Sequence, residues 1–185
     1  MSDDLDEGAV VKRCVGGDSE AFGLLVDRYQ RPIFTAIFHM VGQYEDACEL
    51  TQQAFMKAFE HIESFDPSRK FFSWMYRIAM NETINHVRGR RHFETLDRED
   101  LPGFPRSEPF EAVETNRAVR QAVLSLTPEH RAVVVLRHFL DCSYREASEV
   151  LKLPEKTVKS RLFEARQQLR VALTPAGETP ERRAQ

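Results

Sequence analysis

Apolar residues recur every three or four positions along nearly the whole chain, and no stretch shows the alternation of a half-buried strand. That periodicity leaves an all-α fold. From Ser19 to Met40 the apolar positions are Phe22, Leu25, Tyr29, Ile33, Ile37 and Phe38, with Asp18-Ser19 as the N-cap. Pro32 falls inside this run and predicts a kink or a division there. Between Glu45 and Ser64 the pattern returns at Ala47, Leu50, Ala54, Phe55, Ala58 and Ile62, and Ser64 to Ser68 reads as a loop around Pro67. A third run covers Phe71 to Arg90 through Phe72, Met75, Tyr76, Ile78, Ala79, Ile84 and Val87. With a short N-terminal helix, these make a first helical domain over residues 1–92.

Pro102, Pro105 and Pro109 then crowd into eight residues, and each removes a backbone donor and fixes φ. Residues 93–110 are therefore expected to be a flexible, acidic linker. A second helical domain follows over 111–173. Val113–Leu126 and Pro128–Phe139 read as helices, the second with Thr127 as cap and Pro128 at its first position. Ser143–Leu151 and Glu155–Leu173 follow, separated only by Lys152-Leu153-Pro154. The tail 174–185 has two prolines and no apolar periodicity, and is expected to be disordered.

Composition closes off other classes. The chain has 185 residues, 42% hydrophobic and 30% charged, enough for one medium domain or two small ones. No apolar run approaches the roughly 18 residues of a membrane span, and the N-terminus Asp3-Asp4-Leu5-Asp6-Glu7 is acidic, the reverse of a signal peptide. A cytoplasmic location without membrane insertion is expected. Cys14, Cys48 and Cys142 form neither a disulfide framework nor a metal pattern, and the six histidines show no ligand spacing. No glycine loop or nucleophile elbow occurs, so no catalytic residue, metal or cofactor is expected.

The net charge of −3 hides a segregation. Arg69 to His92 holds six bases against Glu82 alone, and Lys152 to Arg170 holds six bases against two acids; the segments around them are acidic. Basic blocks inside an acidic chain suit nucleic acid as well as solvated helix faces. The second block opens a helix-turn-helix. Ser143-Tyr144-Arg145-Glu146 is a capping box, and Glu155 to Leu162 turns Val158 and Leu162 inward with Lys159, Ser160 and Arg161 outward. Such a helix fits a major groove, although the same corner also occurs as plain architecture.

Five segments, in order, resemble the extracytoplasmic-function (group 4) sigma factors of the sigma-E kind. They are Gly17–Tyr29, Asp46–Phe55, Phe72–Asn81, Leu126–Arg131 and Thr157–Arg161. The resemblance runs to about residue 173. It implies a non-catalytic initiation subunit with three kinds of partner: core RNA polymerase (the β′ clamp helices and the β subunit), promoter DNA and an anti-sigma factor. Domain 2 would bind core and the −10 element, and domain 4 the −35 element. The alternative is a stand-alone helix-turn-helix regulator whose first domain senses a ligand or dimerises.

The resemblance assigns core binding to Asp46, Glu49, Gln52 and Gln53, although Glu49 and Gln53 stand where the family usually has Asp and Glu. On spacing alone, Asp46, Glu49 and Gln53 share a helix face that could equally be solvated. For the −10 element it points to Arg69 and Lys70, in a loop that holds a flipped base. Asn81, Asn85 and Arg88 lie three to four apart and share one helix face suited to base edges and phosphate, although Asn81 could instead be a helix-interior hydrogen bonder. Trp74 and Tyr76 have core spacing. For the −35 element the candidates are Thr157, Lys159, Ser160, Arg161, Phe163 and Arg166, with Phe163 either core or a cover for a thymine methyl. Glu164 departs from the basic residue usual there and would repel phosphate. Ala147-Ser148 replaces the commoner Ile-Ala and thins the packing under the recognition helix.

Overall fold

The computed structural model describes residues 7–93 and 110–174. The segment expected as the linker and the expected tail lie outside the described residues, apart from Phe93, Phe110 and Thr174. Eight α-helices appear among the described residues, and no strand. They are α1 (Glu7–Val15), α2 (Ser19–Val41), α3 (Tyr44–His61), α4 (Phe71–Phe93), α5 (Phe110–Ser125), α6 (Pro128–Val134), α7 (Tyr144–Leu151) and α8 (Glu155–Leu173). A 3₁₀ turn (Ile62–Ser64) follows α3, and a π-helical turn (Val135–Phe139) follows α6.

In the N-terminal half α2 is the central helix, packed on α1, α3 and α4. Leu25, Ile33, Ala36, Ile37 and Met40 are its buried stripe, and Met75, Tyr76, Ala79 and Met80 oppose them from α4. Asp18 caps α2 by accepting from the Ala21 N–H at 3.1 Å. The kink or division predicted at Pro32 does not occur, and α2 is one helix. Pro32 and Arg28, whose carbonyl loses its i+4 donor, are both exposed, so water can satisfy that carbonyl. Tyr76 is buried as its spacing predicted, while Trp74 is half-buried against Phe65 and Phe71.

In the C-terminal half the predicted caps are present. Thr127 accepts from the His130 N–H, and Ser143 and Glu146 form a complete capping box. The helix expected to run to Phe139 widens instead into the π turn, with the Leu140 N–H reaching the Val135 carbonyl. Lys152 ends α7 at φ 52°, the left-handed turn conformation. Ser148 lies under that turn: its hydroxyl donates to the Leu153 carbonyl, and the Leu153 N–H donates to the Ser148 carbonyl at 3.1 Å. The residue expected only to thin the packing therefore ties the corner of the helix-turn-helix.

The two halves are docked. Arg131, 4% exposed, donates to the Met40 carbonyl at the end of α2 and to the Leu124 and Leu126 carbonyls at the end of α5. Arg120 lies over the Phe38 ring and donates to the Gly42 carbonyl at 2.6 Å. Gly42 ends α2 at φ 79°, and a Cβ there would come within 2.7 Å of Leu124. His39 stacks on Phe139 with ring centroids 3.7 Å apart.

This stacking makes docking pH-sensitive. Burial, and secondarily the Arg120 charge, push the His39 imidazole down from its ordinary 6.5 to about 4. The unfolded chain therefore takes up a proton that the fold rejects. The contribution is complete above pH 6.5 and is lost as pH falls toward 4. Glu146, held down to about 2 by Lys70 and the Ser143 cap, adds a loss only below 4.5. Melting temperature should fall between pH 6.5 and 4.5, and His39→Phe should flatten most of that part of the curve, leaving the share of His138, which burial also lowers. Parallel curves for the two proteins would exclude His39 as the source.

Candidate nucleic-acid and polymerase interfaces

Three surfaces carry the residues singled out from the sequence. The first is on α3. Glu49, Gln52 and Gln53 lie toward solvent, and the Gln53 amide donates to Glu49 at 2.9 Å. Asp46 turns instead toward α4, where it pairs with Arg90 and lies 3.6 Å from His86. Beside the polar residues is a feature that sequence reading missed. Phe22 and Phe34 of α2 and Cys48, Gln52, Met56 and Phe59 of α3 line an open groove of about 790 Å³. Met56 and Phe59 are exposed although apolar. The signal was present, because α3 has apolar residues at Cys48, Met56 and Phe59 beyond those its core stripe needs.

The second surface is the loop before α4 and the outer face of α4. The Ser68 hydroxyl, then its N–H donating to Asp66 at 3.0 Å, and Arg69 beside them hold the Asp66 carboxyl below the usual range. Asn81, Asn85 and Arg88 share one face of α4, as their spacing predicted, but that face meets the C-terminal half. Together with Glu129 and Arg161 they line a cavity of about 210 Å³. Arg88 donates to Glu129 through Nε at 2.9 Å. Burial would raise the Glu129 carboxyl, but Arg88 outweighs it and holds the group ionised below its ordinary range.

The third surface is the outer face of α8. Lys159, Ser160, Phe163 and Arg166 are exposed, and Thr157 is half-buried. Phe163 is 63% exposed, which removes the core alternative for it. Lys159 lies over the Tyr144 ring at 5.2 Å and 3.9 Å from Glu155. Arg161 sits apart from this group, on the side turned to α4. Glu164 accepts from the Ser160 hydroxyl at 2.9 Å and lies 3.2 Å from His130. These contacts depress its pKa and tie it back to the scaffold.

Among the described residues no cluster of His, Cys, Asp or Glu could hold a metal ion, and no helix is long and apolar enough to cross a membrane. Cys14 and Cys142 are buried and Cys48 is exposed.

Residues 25–93 match the sigma-70 region 2 family and residues 116–169 the sigma-70 region 4 family. The chain is 32% identical over 176 residues to the ECF RNA polymerase sigma factor SigW of Bacillus subtilis, covering 88% of this chain and 94% of that protein. It is 33% identical over 179 residues to the RNA polymerase sigma-H factor of Pseudomonas aeruginosa, covering 90% of this chain and 93% of that one. The fold is similar to CnrH, solved in complex with the cytosolic domain of CnrY. The TM-score there is 0.71 at 27% identity, over 90% of this chain and 96% of CnrH. The sigma factor RpoE of Bartonella quintana, co-crystallised with the anti-sigma factor NepR, shares the fold at TM-score 0.68 and 20% identity, over 82% of this chain and 96% of RpoE.

Proposed function

Since the chain belongs to the extracytoplasmic-function sigma factors, the non-catalytic subunits that bring core RNA polymerase to promoters, we propose how its residues divide that work. Residues 1–92 act as domain 2 and 111–173 as domain 4, joined by 93–110. The chain works in the cytoplasm, where its polymerase is.

Glu49, Gln52 and Gln53, with the apolar groove beside them, receive the β′ clamp helices. An open apolar groove rimmed by polar side chains supports this reading, because such a surface is costly to leave in water. Asp46 acts through its pairing with Arg90, setting α3 against α4. Arg69, Lys70, Asn81, Asn85 and Arg88 take the −10 strand, the asparagines reading bases and the cations neutralising phosphates. Thr157, Lys159, Ser160, Phe163 and Arg166 present α8 to the −35 major groove, with Phe163 free to cover a thymine methyl. Arg161 joins them once it leaves the α4 side. An anti-sigma factor controls the chain by covering these surfaces; that a sigma factor of the same fold is held by one supports this reading.

The decisive experiment is transcription in vitro by core polymerase with and without the protein, together with co-purification on core. Initiation that depends on both the promoter and the protein is expected. Failure to associate with core, with tight autonomous binding to a palindromic duplex, would mark a stand-alone regulator instead.

A further inference from the structure

Two of the cations assigned to the −10 strand, Lys70 and Arg88, are already occupied by acids of the C-terminal half, while Arg69 pairs locally with Asp66. Lys70 donates to Glu146 Oε1 at 2.9 Å. Ser73 donates to Glu149 Oε2 at 2.9 Å, and Arg77 donates to the Glu149 carbonyl at 3.1 Å. Arg88 donates to Glu129. All three acids belong to the C-terminal half, and all four donors lie along one edge of α4 and the loop before it. The contacts link residues 41 to 76 positions apart in sequence, so they arise from docking and not from local helix pairing. Asn81 and Asn85, which have the groups to read bases, open into the cavity closed by Glu129 and Arg161.

We propose that the docked form is a self-inhibited state in which Glu129, Glu146 and Glu149 occupy the −10 face of α4 in place of the promoter strand. A carboxylate presents to Lys or Arg the same charged acceptor oxygens as a phosphodiester. Docking and strand binding therefore exclude each other, since both need Lys70, Arg88 and the asparagine face. The same docking takes Arg161 out of reach of duplex DNA. Apparent DNA affinity of the free chain is then reduced by the fraction that is open, and whatever separates the halves restores it. The proposal rests on the −10 assignment given above.

The test uses the full chain and Glu129→Gln/Glu149→Gln. Both residues are outside the DNA-reading set, and Glu146 is left in place because it caps α7. Glu45→Gln/Glu60→Gln makes the same charge change on exposed positions of α3 and serves as control. The readouts are the radius of gyration by small-angle scattering and binding of a labelled 20-nucleotide single strand by anisotropy. The parent should scatter as a compact chain, near about 16 Å for this length. The interface variant should expand and bind the strand roughly threefold or more tightly, as an opened state would. The control should stay compact and gain less. High salt should expand the parent toward the variant. A parent that is already extended, or a variant that stays compact and binds no better than the control, would overturn the proposal. The sigma reading fails separately: it falls if neither protein supports initiation with core, whatever the scattering shows.

Discussion

Arg131→Met is expected to lower the unfolding free energy by about 3 kcal/mol, near the value of one well-made hydrogen bond to a charged donor. Two helices point their C-terminal ends at this guanidinium, α2 through Met40 and α5 through Leu124. Each end leaves carbonyls without intrahelical partners and carries the negative pole of its helix. Arg131 answers both ends at once, and the planar fork of its five N–H groups allows it to reach carbonyls in different directions. Methionine fills the volume but supplies no donor, so buried carbonyls are stranded and two like poles face each other. Arg131→Lys should recover part of the loss, since the charge returns without the fork. Chemical denaturation of the three proteins measures the series. Equal stability of all three would mean that water replaces the guanidinium at no cost. The exposed pairs across the same interface contribute about 0–1 kcal/mol each, so removing two of them should shift the population toward the open form by a few-fold without unfolding either half.

What the sequence made legible, and what it hid, follows from the range of the interactions involved. Helix periods and caps are local, so Asp18, Thr127, Ser143 and the Lys152–Pro154 turn could be read from the order of residues alone. The face shared by Asn81, Asn85 and Arg88 was legible for the same reason. Three features were not. Pro32 sits within α2 because its side of the helix is solvated, a fact of tertiary placement that no local rule contains. Arg131 stood in the sequence as one base in a recognisable Thr-Pro-Glu-His-Arg string. Its burial depends on where the end of α2 lies, 91 residues earlier. The third is the docked interface. The linker was expected to let the halves flex between compact and extended forms, but nothing local says which surfaces meet in the compact one: they are α2 and α4 against α5, α6 and α7. Acids such as Glu129 and Glu149 look like ordinary solvated charges until the cations opposite them are known.

Asn81→Ala and Lys159→Ala/Arg166→Ala should damage different promoter elements. Asn81 is exposed on α4, and a surface change of this kind alters stability by about 0.5 kcal/mol or less. Losing a base-reading amide, by contrast, removes about 1–3 kcal/mol of discrimination. Transcription from the target promoter should therefore fall roughly fivefold to a hundredfold or more, while binding of domain 4 to −35 duplex is retained. Lys159 and Arg166 carry the converse prediction. Both are exposed on α8 away from the docked interface. Arg161 is the poorer choice, because its charge acts on Glu129 at the docked interface, so its loss would change docking and DNA binding together. Removing Lys159 and Arg166 should weaken −35 binding and flatten its salt dependence by about one unit of slope for each phosphate no longer neutralised. Footprinting of the polymerase complex on promoters mutated separately at −10 and −35 reads the outcome. Sensitivity to the same promoter positions in both variants, or unfolding of the Asn81 variant, would sink the division of labour between α4 and α8.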